Sequence, residues 1–534
     1  MQNDLLHQAN GESDIFGSHS CCTNERGDVC DTISPMSNIV FDENTVKVCQ
    51  EATVLTHCVE NVLSSVNKAL TNDREECKLD KDDHISEYVA CESIKMLETD
   101  KQTSLTCVKS CMPVCSSEGK PEQAPCGVNG CNIVTYQEKQ SIPEVNQTGT
   151  TKKYGPVRGG RTVVYVHSDE YMQLCDAMIR VPGRACMVHR LIEAYGLLKY
   201  LCIVPPSKLT REEILKFHSE EYVDVLERLD RDGEEGYDEQ AQRCGLGYDC
   251  PAEPGVYEYA TSVAGATVTA AQCLMEGKCT VAINWFGGWH HAKKDQASGF
   301  CYVNDIVLGI LKLREKYQRV LYIDLDLHHG DGVEDAFSAT SKVFTLSFHK
   351  YSAGFFPGTG SVKDVGFGKG RFFSLNIPLL DGIQDQQFFS LFLRVVEKVR
   401  EVFSPEAVVC QCGADGLAGD PMNSFNLTHL SLGRCVYSLL KWNVPLLLLG
   451  GGGYEHANTA RCWTFITSIA AFKKLPEDIP DHQYFTEYGP SYELAVTAGY
   501  RKNLNTPEYL KDVCRKALGI LQKTSKILAY NEVV

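Results

Sequence analysis

The chain lacks any apolar run long enough to cross a bilayer. Its longest runs, such as residues 444–449, fall far short of the roughly 20 residues a spanning helix needs. No charged-then-apolar leader opens it, so the oxidising secretory route is unsupported, and its 25 cysteines are expected to be mostly reduced thiols of a soluble intracellular protein. Off that route the glycosylation patterns at Asn146-Gln-Thr and Asn426-Leu-Thr carry no meaning. A basic excess is also missing. Residues 1–150 hold 24 acidic and 11 basic residues, or −13 of the net −17, and the remaining 384 hold 45 and 41. A nearly balanced body argues against direct nucleic-acid binding. The first 150 residues contain no Trp and only Phe16, Phe41, Tyr88 and Tyr136 of the 49 aromatics. Low aromatic content with net negative charge predicts disorder there. Two catalytic signatures are absent as well. No Gly-x-Ser-x-Gly elbow is present, and Gly450-Gly-Gly-Gly453 lacks both the Gly-Lys-Ser/Thr ending and the G-x-G-x-x-G spacing of nucleotide loops.

The pattern that remains is an α/β rhythm. Expected strands are 163–166, 281–284, 320–323, 343–347, 372–377, 407–411 and 446–449. Expected helices are 184–198, 211–229, 256–275, 303–316, 333–337, 384–402, 430–442, 457–471 and about 507–528, with a polar loop over 231–242. Alternating strands and helices predict one α/β domain with a mostly parallel central sheet covered on both faces. We expect an acidic, Cys-rich extension over 1–155 and a catalytic domain over 156–534. Within the extension, Cys107, Cys111, Cys115, Cys126 and Cys131 lack paired C-x2-C spacing, so free thiols are the plainer reading than a zinc knuckle.

Open α/β sheets place their sites outside the carboxyl ends of the strands, and the unusual polar residues sit just there. Asp324-Leu-Asp326-Leu-His328-His329-Gly330-Asp331 follows the strand at 320–323. Alternation along a strand gives Asp324, Asp326 and His328 one parity. Carboxylates crowded in apolar surroundings resist ionising unless a cation relieves them, and Asp with His is an ordinary divalent-metal set. His290-His291 follow glycines after 281–284 and could form two His–carboxylate dyads with spare Asp324 and Asp331. Asp415 follows 407–411, and the glycine run after 446–449 delivers Tyr454, a phenol able to donate to a carbonyl as it becomes an oxyanion. A metal, a base and a phenolic electrophile describe a metal-assisted hydrolase acting on an acyl carbon, with water as nucleophile.

Seven motifs then carry a resemblance: Tyr248-Asp-Cys-Pro251, Gly287–His291, Ser298-Gly-Phe-Cys-Tyr302, Asp324–Gly332, Gly354-Phe-Phe-Pro-Gly-Thr-Gly360, Gln411-Cys-Gly-Ala-Asp415 and Gly450–Tyr454. Over about residues 162–534 the chain resembles the class I zinc-dependent histone deacetylases. The resemblance implies an arginase/deacetylase-like fold that hydrolyses N6-acetyl-lysine in histones and other proteins. It implies zinc, or ferrous iron in its place, on Asp326, His328 and Asp415. It pairs His290 with Asp324 and His291 with Asp331, makes His291 the main general base and acid, and has Tyr454 polarise the carbonyl. Gly299, Phe300, Phe356, Met422 and Gly452 would line a tunnel, and Asp249 would accept substrate backbone N–H groups at its rim. Potassium is implied at Asp324 with the carbonyls of Asp326 and His328, plus Ser347 and Phe348, and a second at carbonyls of Phe337, Thr340, Val343 and Phe373.

Acetylated histone tails are the implied partners, in chromatin and transcription regulation, with a nuclear and cytoplasmic location. The chain stops soon after its last expected helix, which favours a subtype that works without a corepressor complex. Two departures limit the carry-over. Cys186 stands where a Ser is common in this subtype, and residues 312–319 are less basic than in relatives, which weakens a nuclear-import reading. Cys250 and Cys301 are either a redox pair or buried inert thiols. Rival readings are an acetylpolyamine deacetylase and a catalytically silent chromatin scaffold. Arginase-like chemistry would need two catalytic metals.

Overall fold

The computed structural model describes residues 162–533, apart from 179 and 234–236. The expected boundary at 155/156 and the cysteines 107–131 lie outside the described residues. Among the described residues no helix is long and apolar enough to cross a membrane.

Strand and helix alternate as the apolar runs require. The strands are β1 (Val163–Val166), β2 (Cys202–Val204), β3 (Val281–Asn284), β4 (Val320–Asp324), β5 (Val343–Lys350), β6 (Ser374–Leu379), β7 (Ala407–Gln411) and β8 (Leu446–Leu449). They form one eight-stranded sheet, every pair parallel, in the order β2-β1-β3-β8-β7-β4-β5-β6. The chain crosses from β3 to β4, builds outward to β6, then returns to fill the gap with β7 and β8. The central strands β3, β4, β7 and β8 are buried throughout, which is why they read as continuous apolar runs rather than alternating ones.

Register decides where the chemistry emerges. Asp324 pairs with Gln411, Gln411 with Leu449, and Leu449 with Asn284. Four strands therefore end at one level, and the loops leaving them open onto one crevice.

The helices before the crossover are α1 (Asp169–Asp176), α2 (Arg184–Ala194), α3 (Arg211–Ile214), α4 (Glu220–Asp232), α5 (Glu239–Arg243) and α6 (Val256–Met275). The crossover itself carries α7 (Asp305–Arg314), and after it come α8 (Asp331–Phe337), α9 (Asp385–Phe403), α10 (His429–Leu440), α11 (His456–Ala470) and α12 (Pro507–Val533). α9 shows the local logic: Phe388, Leu391, Phe392, Val395, Val396, Val399 and Phe403 form one buried stripe at helical spacing. In α6 a small residue is required at Gly265, where a Cβ would strike the Ser207 carbonyl. Trp285, just past β3, stacks on Trp463 of α11 at 5.4 Å, with both indole N–H groups satisfied by Thr467 Oγ1 and the Cys412 carbonyl.

Several expected boundaries are corrected. The single helix expected over 211–229 is two, α3 and α4, because Ser219 N donates to the Lys294 carbonyl instead of continuing the helical ladder. The helix expected over 184–198 stops at Ala194, where Gly196 turns into the left-handed region at φ 66°. The polar loop expected over 231–242 contains α5, capped by the Asp238 carboxylate on Gln240 N and Ala241 N. Strand β6 begins at Ser374 rather than 372, since Phe372 has φ 73°. Asn426 is buried and donates to the Gly382 and Arg501 carbonyls, so it offers no glycosylation site.

Candidate active site

Each loop that leaves a central strand brings one part of the site. After β4, Asp326 and His328 meet Asp415 from the loop after β7. All three are buried, and one ligand atom from each lies within 4.8 Å of the others. His328 Nδ1 lies 2.8 Å from Asp415 Oδ2 and 3.3 Å from Asp326 Oδ1. Burial and the neighbouring Asp326 charge push Asp415 up to about 7. Burial works against the charge on His328, yet the two carboxylates raise it to about 10. Two carboxylates and one imidazole facing a common point fit a divalent cation, which would relieve the like-charge repulsion.

The carboxylates are braced from outside. Gln411 Nε2 donates to Asp326 Oδ2 at 2.7 Å, and Gly452 N donates to the same oxygen at 3.0 Å. Leu327 N donates to Asp415 Oδ1 at 2.9 Å. Gly452 packs so closely that a Cβ there would collide with Asp415 Oδ2.

The tandem histidines follow β3 and form the two expected dyads. His290 Nδ1 donates to Asp324 Oδ2 at 2.8 Å, and His291 Nδ1 donates to Asp331 Oδ1 at 2.7 Å. Their Nε2 atoms are 2.9 Å apart, so only one of the two carries a proton on that side. Burial disfavours charge on both. Asp324 and Asp326 overcome it at His290, which rises to about 9. Burial and the His290 charge together lower His291 to about 3. His291 is therefore the neutral member, the one whose Nε2 carries no proton. Asp324 has a further duty, accepting from Tyr322 OH at 2.6 Å and Asp326 N at 3.1 Å.

Tyr454 is held by its backbone: Asp420 Oδ2 accepts from Tyr454 N at 2.7 Å and from Glu455 N at 3.2 Å. Its ring meets Phe300 edge-on at 5.7 Å. Burial, with Asp415 and Asp326 nearby, holds the phenol well above its ordinary value, so it remains a donor. Phe356 packs edge-on to His291 at 4.8 Å, and Phe355 stacks on His328 at 5.1 Å. A Cβ on Gly299 would strike both His291 and the Phe356 ring, so the glycine permits the narrow approach. Met422 is partly buried, with its N bonded to Asp420 Oδ1. Asp249 Oδ2 accepts from Gly299 N at 2.7 Å, which joins the residue expected at the rim to one expected in the tunnel wall.

Four braces carried no expected role. Arg184 is buried, donates from Nη1 to the Gly451 and Gly453 carbonyls at 3.0 and 2.9 Å, and lies over Trp463. Asp305 accepts from Gly288 N, Trp289 N and Thr267 Oγ1, fixing the turn that aims His290 and His291. Gln411 and Asp420 are the others. Arg184 and Gln411 stood inside noted segments, but nothing local marks an arginine as buried. His329, which had no expected role, is structural: it reaches Thr359 Oγ1 at 2.8 Å and Glu334 Oε2 at 3.2 Å. Cys250 and Cys301 are free and buried. Cys250 Sγ donates to the Cys301 carbonyl and Cys301 Sγ to the Gly299 carbonyl, while burial pushes Cys250 up to about 12. These are properties of inert thiols.

The expected potassium residues fall in two places. Ser347 lies beside Asp324 in register, with its Oγ 2.8 Å from His349 Nδ1, and Phe348 follows it, buried. The Phe337 carbonyl accepts from Thr340 N, Val343 opens β5, and the Phe373 carbonyl accepts from Thr345 N.

Known proteins share this arrangement of sequence. The family model of the histone deacetylase domain matches residues 178–470. The chain is 56% identical over 362 residues to histone deacetylase 8 of Danio rerio, covering 68% of this chain and 96% of that protein. It is 55% identical over 361 residues to the Xenopus tropicalis histone deacetylase 8, covering 67% and 98%. Against histone deacetylase 1 of Homo sapiens it is 46% identical over 332 residues, covering 62% and 69%. The chain belongs to the histone deacetylases, metal-dependent hydrolases of acetyl-lysine, and within them to class I, with its likeness to histone deacetylase 8.

Proposed function

We propose that the chain removes the acetyl group from N6-acetyl-lysine of histones and other proteins through the residues assembled above the strand ends. The observation that carries this reading is the pair of His–carboxylate dyads, at 2.8 and 2.7 Å, facing the buried Asp326–His328–Asp415 cluster. Asp326, His328 and Asp415 would hold zinc, which when bound acidifies a water and polarises the acyl oxygen. His291, neutral and oriented by Asp331, takes the proton from the attacking water. His290, oriented by Asp324, contributes positive potential beside the reacting centre. Tyr454 donates its phenolic hydrogen to the carbonyl oxygen as negative charge builds there. His291 then returns its proton to the departing lysine amine. Gly299, Phe300, Phe356, Met422 and Gly452 would enclose the uncharged acetyl-lysine stem and disfavour a charged lysine. Asp249 would accept substrate backbone N–H groups at the rim. Potassium beside Asp324, Ser347 and Phe348 would steady the anionic end of the first dyad, and a second would sit among the Phe337, Thr340, Val343 and Phe373 carbonyls. A role in chromatin regulation without an obligatory corepressor, in nucleus and cytoplasm, goes with this reading, as does an acidic extension before residue 156.

The test is turnover of the zinc-loaded full chain on acetyl-lysine peptides and, in parallel, on acetylpolyamines. Turnover of peptides with loss of most of it in Tyr454→Phe at unchanged zinc content is expected. Preference for acetylpolyamines would replace the substrate, and near-normal turnover by Tyr454→Phe would remove the electrophile from the mechanism.

A further inference from the structure

Arg180 lies in the turn between α1 and α2, four residues before Arg184 and far in sequence from the loops that leave the strand ends, yet three contacts join it to the mouth. Its Nη2 donates to the Tyr248 carbonyl at 2.7 Å and its Nε to the Asp249 carbonyl at 3.2 Å. Its guanidinium lies over the Phe300 ring, 5.0 Å from the centroid.

Consecutive carbonyls of an extended chain point in opposite directions. Both reach one guanidinium here, so the chain is bent around the cation at residues 248–249. The bend has visible consequences. The Tyr248 ring stands 96% exposed, while the Asp249 carboxylate turns inward onto Gly299 N. On the inner side the loop is fastened separately: Cys250 is buried, and Tyr302 OH donates to the Pro251 carbonyl at 2.7 Å. Gly247, at φ 117°, starts the bend where a Cβ would meet Tyr237 OH. The outer half, which carries Asp249, leans on Arg180.

The third contact links the rim to the interior. Phe300 has φ 69°, an unfavourable backbone for a phenylalanine, and its ring packs edge-on to Tyr454. A planar guanidinium can lie flat on that ring while its edge donates to two carbonyls. A lysine ammonium offers no such fork.

We propose that Arg180 is a positioning residue for the substrate main chain, clamping Tyr248 and Asp249 at the rim to Phe300 in the tunnel wall so that Asp249 is aimed at peptide N–H groups. The proposal rests on the deacetylase reading of this site. It makes Arg180 a determinant of selectivity for acetyl-lysine within a peptide over an acetyl amide without usable backbone donors.

The experiment uses the zinc-loaded full chain with one acetyl-lysine peptide and its analogue methylated on the amide nitrogens at and after the acetyl-lysine. The wild type is expected to favour the unmodified peptide. In Arg180→Ala the ratio of the two kcat/KM values should fall about tenfold, the worth of one well-aimed hydrogen bond to a charged acceptor, and mainly through KM of the unmodified peptide. Arg180→Lys, which keeps the charge and covers failure of the alanine variant to fold, should recover little of the ratio. Amide hydrogen exchange over residues 245–252 should accelerate in both variants.

A ratio unchanged in Arg180→Ala, or fully restored in Arg180→Lys, would overturn the clamp. Equal loss on both substrates would overturn it too, since that is the mark of a general structural role. No turnover of either peptide by the wild type would instead defeat the deacetylase reading itself. Turnover without discrimination by the wild type would defeat the rim role of Asp249 and the clamp together.

Discussion

His218 offers a quantitative test of how the catalytic loop is held. It is buried between α3 and α4, with its Nδ1 3.2 Å from the Lys294 carbonyl and its Nε2 3.1 Å from Asn304 N. The tautomer follows from the partners: Nδ1 donates to a carbonyl and Nε2 accepts from an amide, so the ring must be neutral. Asn304 in turn donates through Nδ2 to the His290 and Ala292 carbonyls and caps α7 by accepting from Val307 N. The imidazole thus latches the segment that carries His290 and His291. Burial lowers it from the ordinary 6.5 to about 4.

The sign of the pH effect follows. A group that binds its proton less readily when folded contributes its full stability above the unfolded value, near 6.5, and loses it as pH falls from there toward 4. Between pH 7 and pH 5 the loss from this one ring is about 2 kcal/mol, approaching roughly 3 kcal/mol below pH 4. The assay is urea unfolding of the zinc-loaded chain and of His218→Gln at both pH values. Other buried histidines, such as His429, lowered to about 3 by burial and the nearby Arg461 and Arg434, titrate in both proteins and cancel in the difference. The stability advantage of the wild type should shrink by about 2 kcal/mol at pH 5. A constant difference between the two pH values would refute the claim that His218 is held neutral.

Gly452→Ala places a methyl against Asp415; zinc content by mass spectrometry should fall steeply while the secondary structure by circular dichroism is kept. Arg184→Met strips two carbonyls in the glycine run of their donor and should cost about 3 kcal/mol in urea unfolding. Asp331→Asn removes the carboxylate that fixes the His291 tautomer and should lower kcat roughly a hundredfold or more with metal retained. Chelation should lower the melting temperature reversibly, by the equivalent of about 3 kcal/mol when free metal had stood 100-fold above its dissociation constant.

Much of the fold was legible because a parallel sheet covered on both faces writes its strands as unbroken apolar runs. β1, β3, β7 and β8 occupy the expected residues. β2 went unrecognised although Leu201-Cys-Ile-Val204 is an apolar run: it is only three residues long, lies at the sheet edge with Cys202 and Ile203 exposed, and is followed at once by Pro205 and Pro206. Helix boundaries failed where a tertiary partner competed with the ladder, as at Ser219. The dyads were legible because His290, His291, Asp324 and Asp331 stand beside strand ends in the sequence. What was illegible is long-range by nature. Arg184 reads as a surface arginine at a helix start until β8 places two glycine carbonyls against it. Asp305 reads as an ordinary acidic first turn until Gly288 and Trp289 are seen to donate to it. Asp420 reads as a loop aspartate, and nothing nearby in sequence says that it holds Tyr454.

The division between what was visible and what was not is itself informative about how the site works. The groups placed at the reacting centre are few, clustered and borne on short loops after level strand ends. Loops alone would not hold the buried Asp326 and Asp415 carboxylates beside His328, with side-chain atoms of all three within 4.8 Å of one another, against the repulsion between the carboxylates. The restraint comes from polar side chains that never face the crevice as reactants. Gln411 reaches Asp326, Asp305 reaches the turn before His290, Arg184 reaches the glycine run, and Asp420 reaches Tyr454. Each brace joins backbone or side chain across elements distant in sequence. Substituting a brace should therefore alter metal retention or side-chain aim before it alters the chemistry. Substituting His291 or Tyr454 should do the reverse, and that contrast is the signature by which the two kinds of residue are told apart.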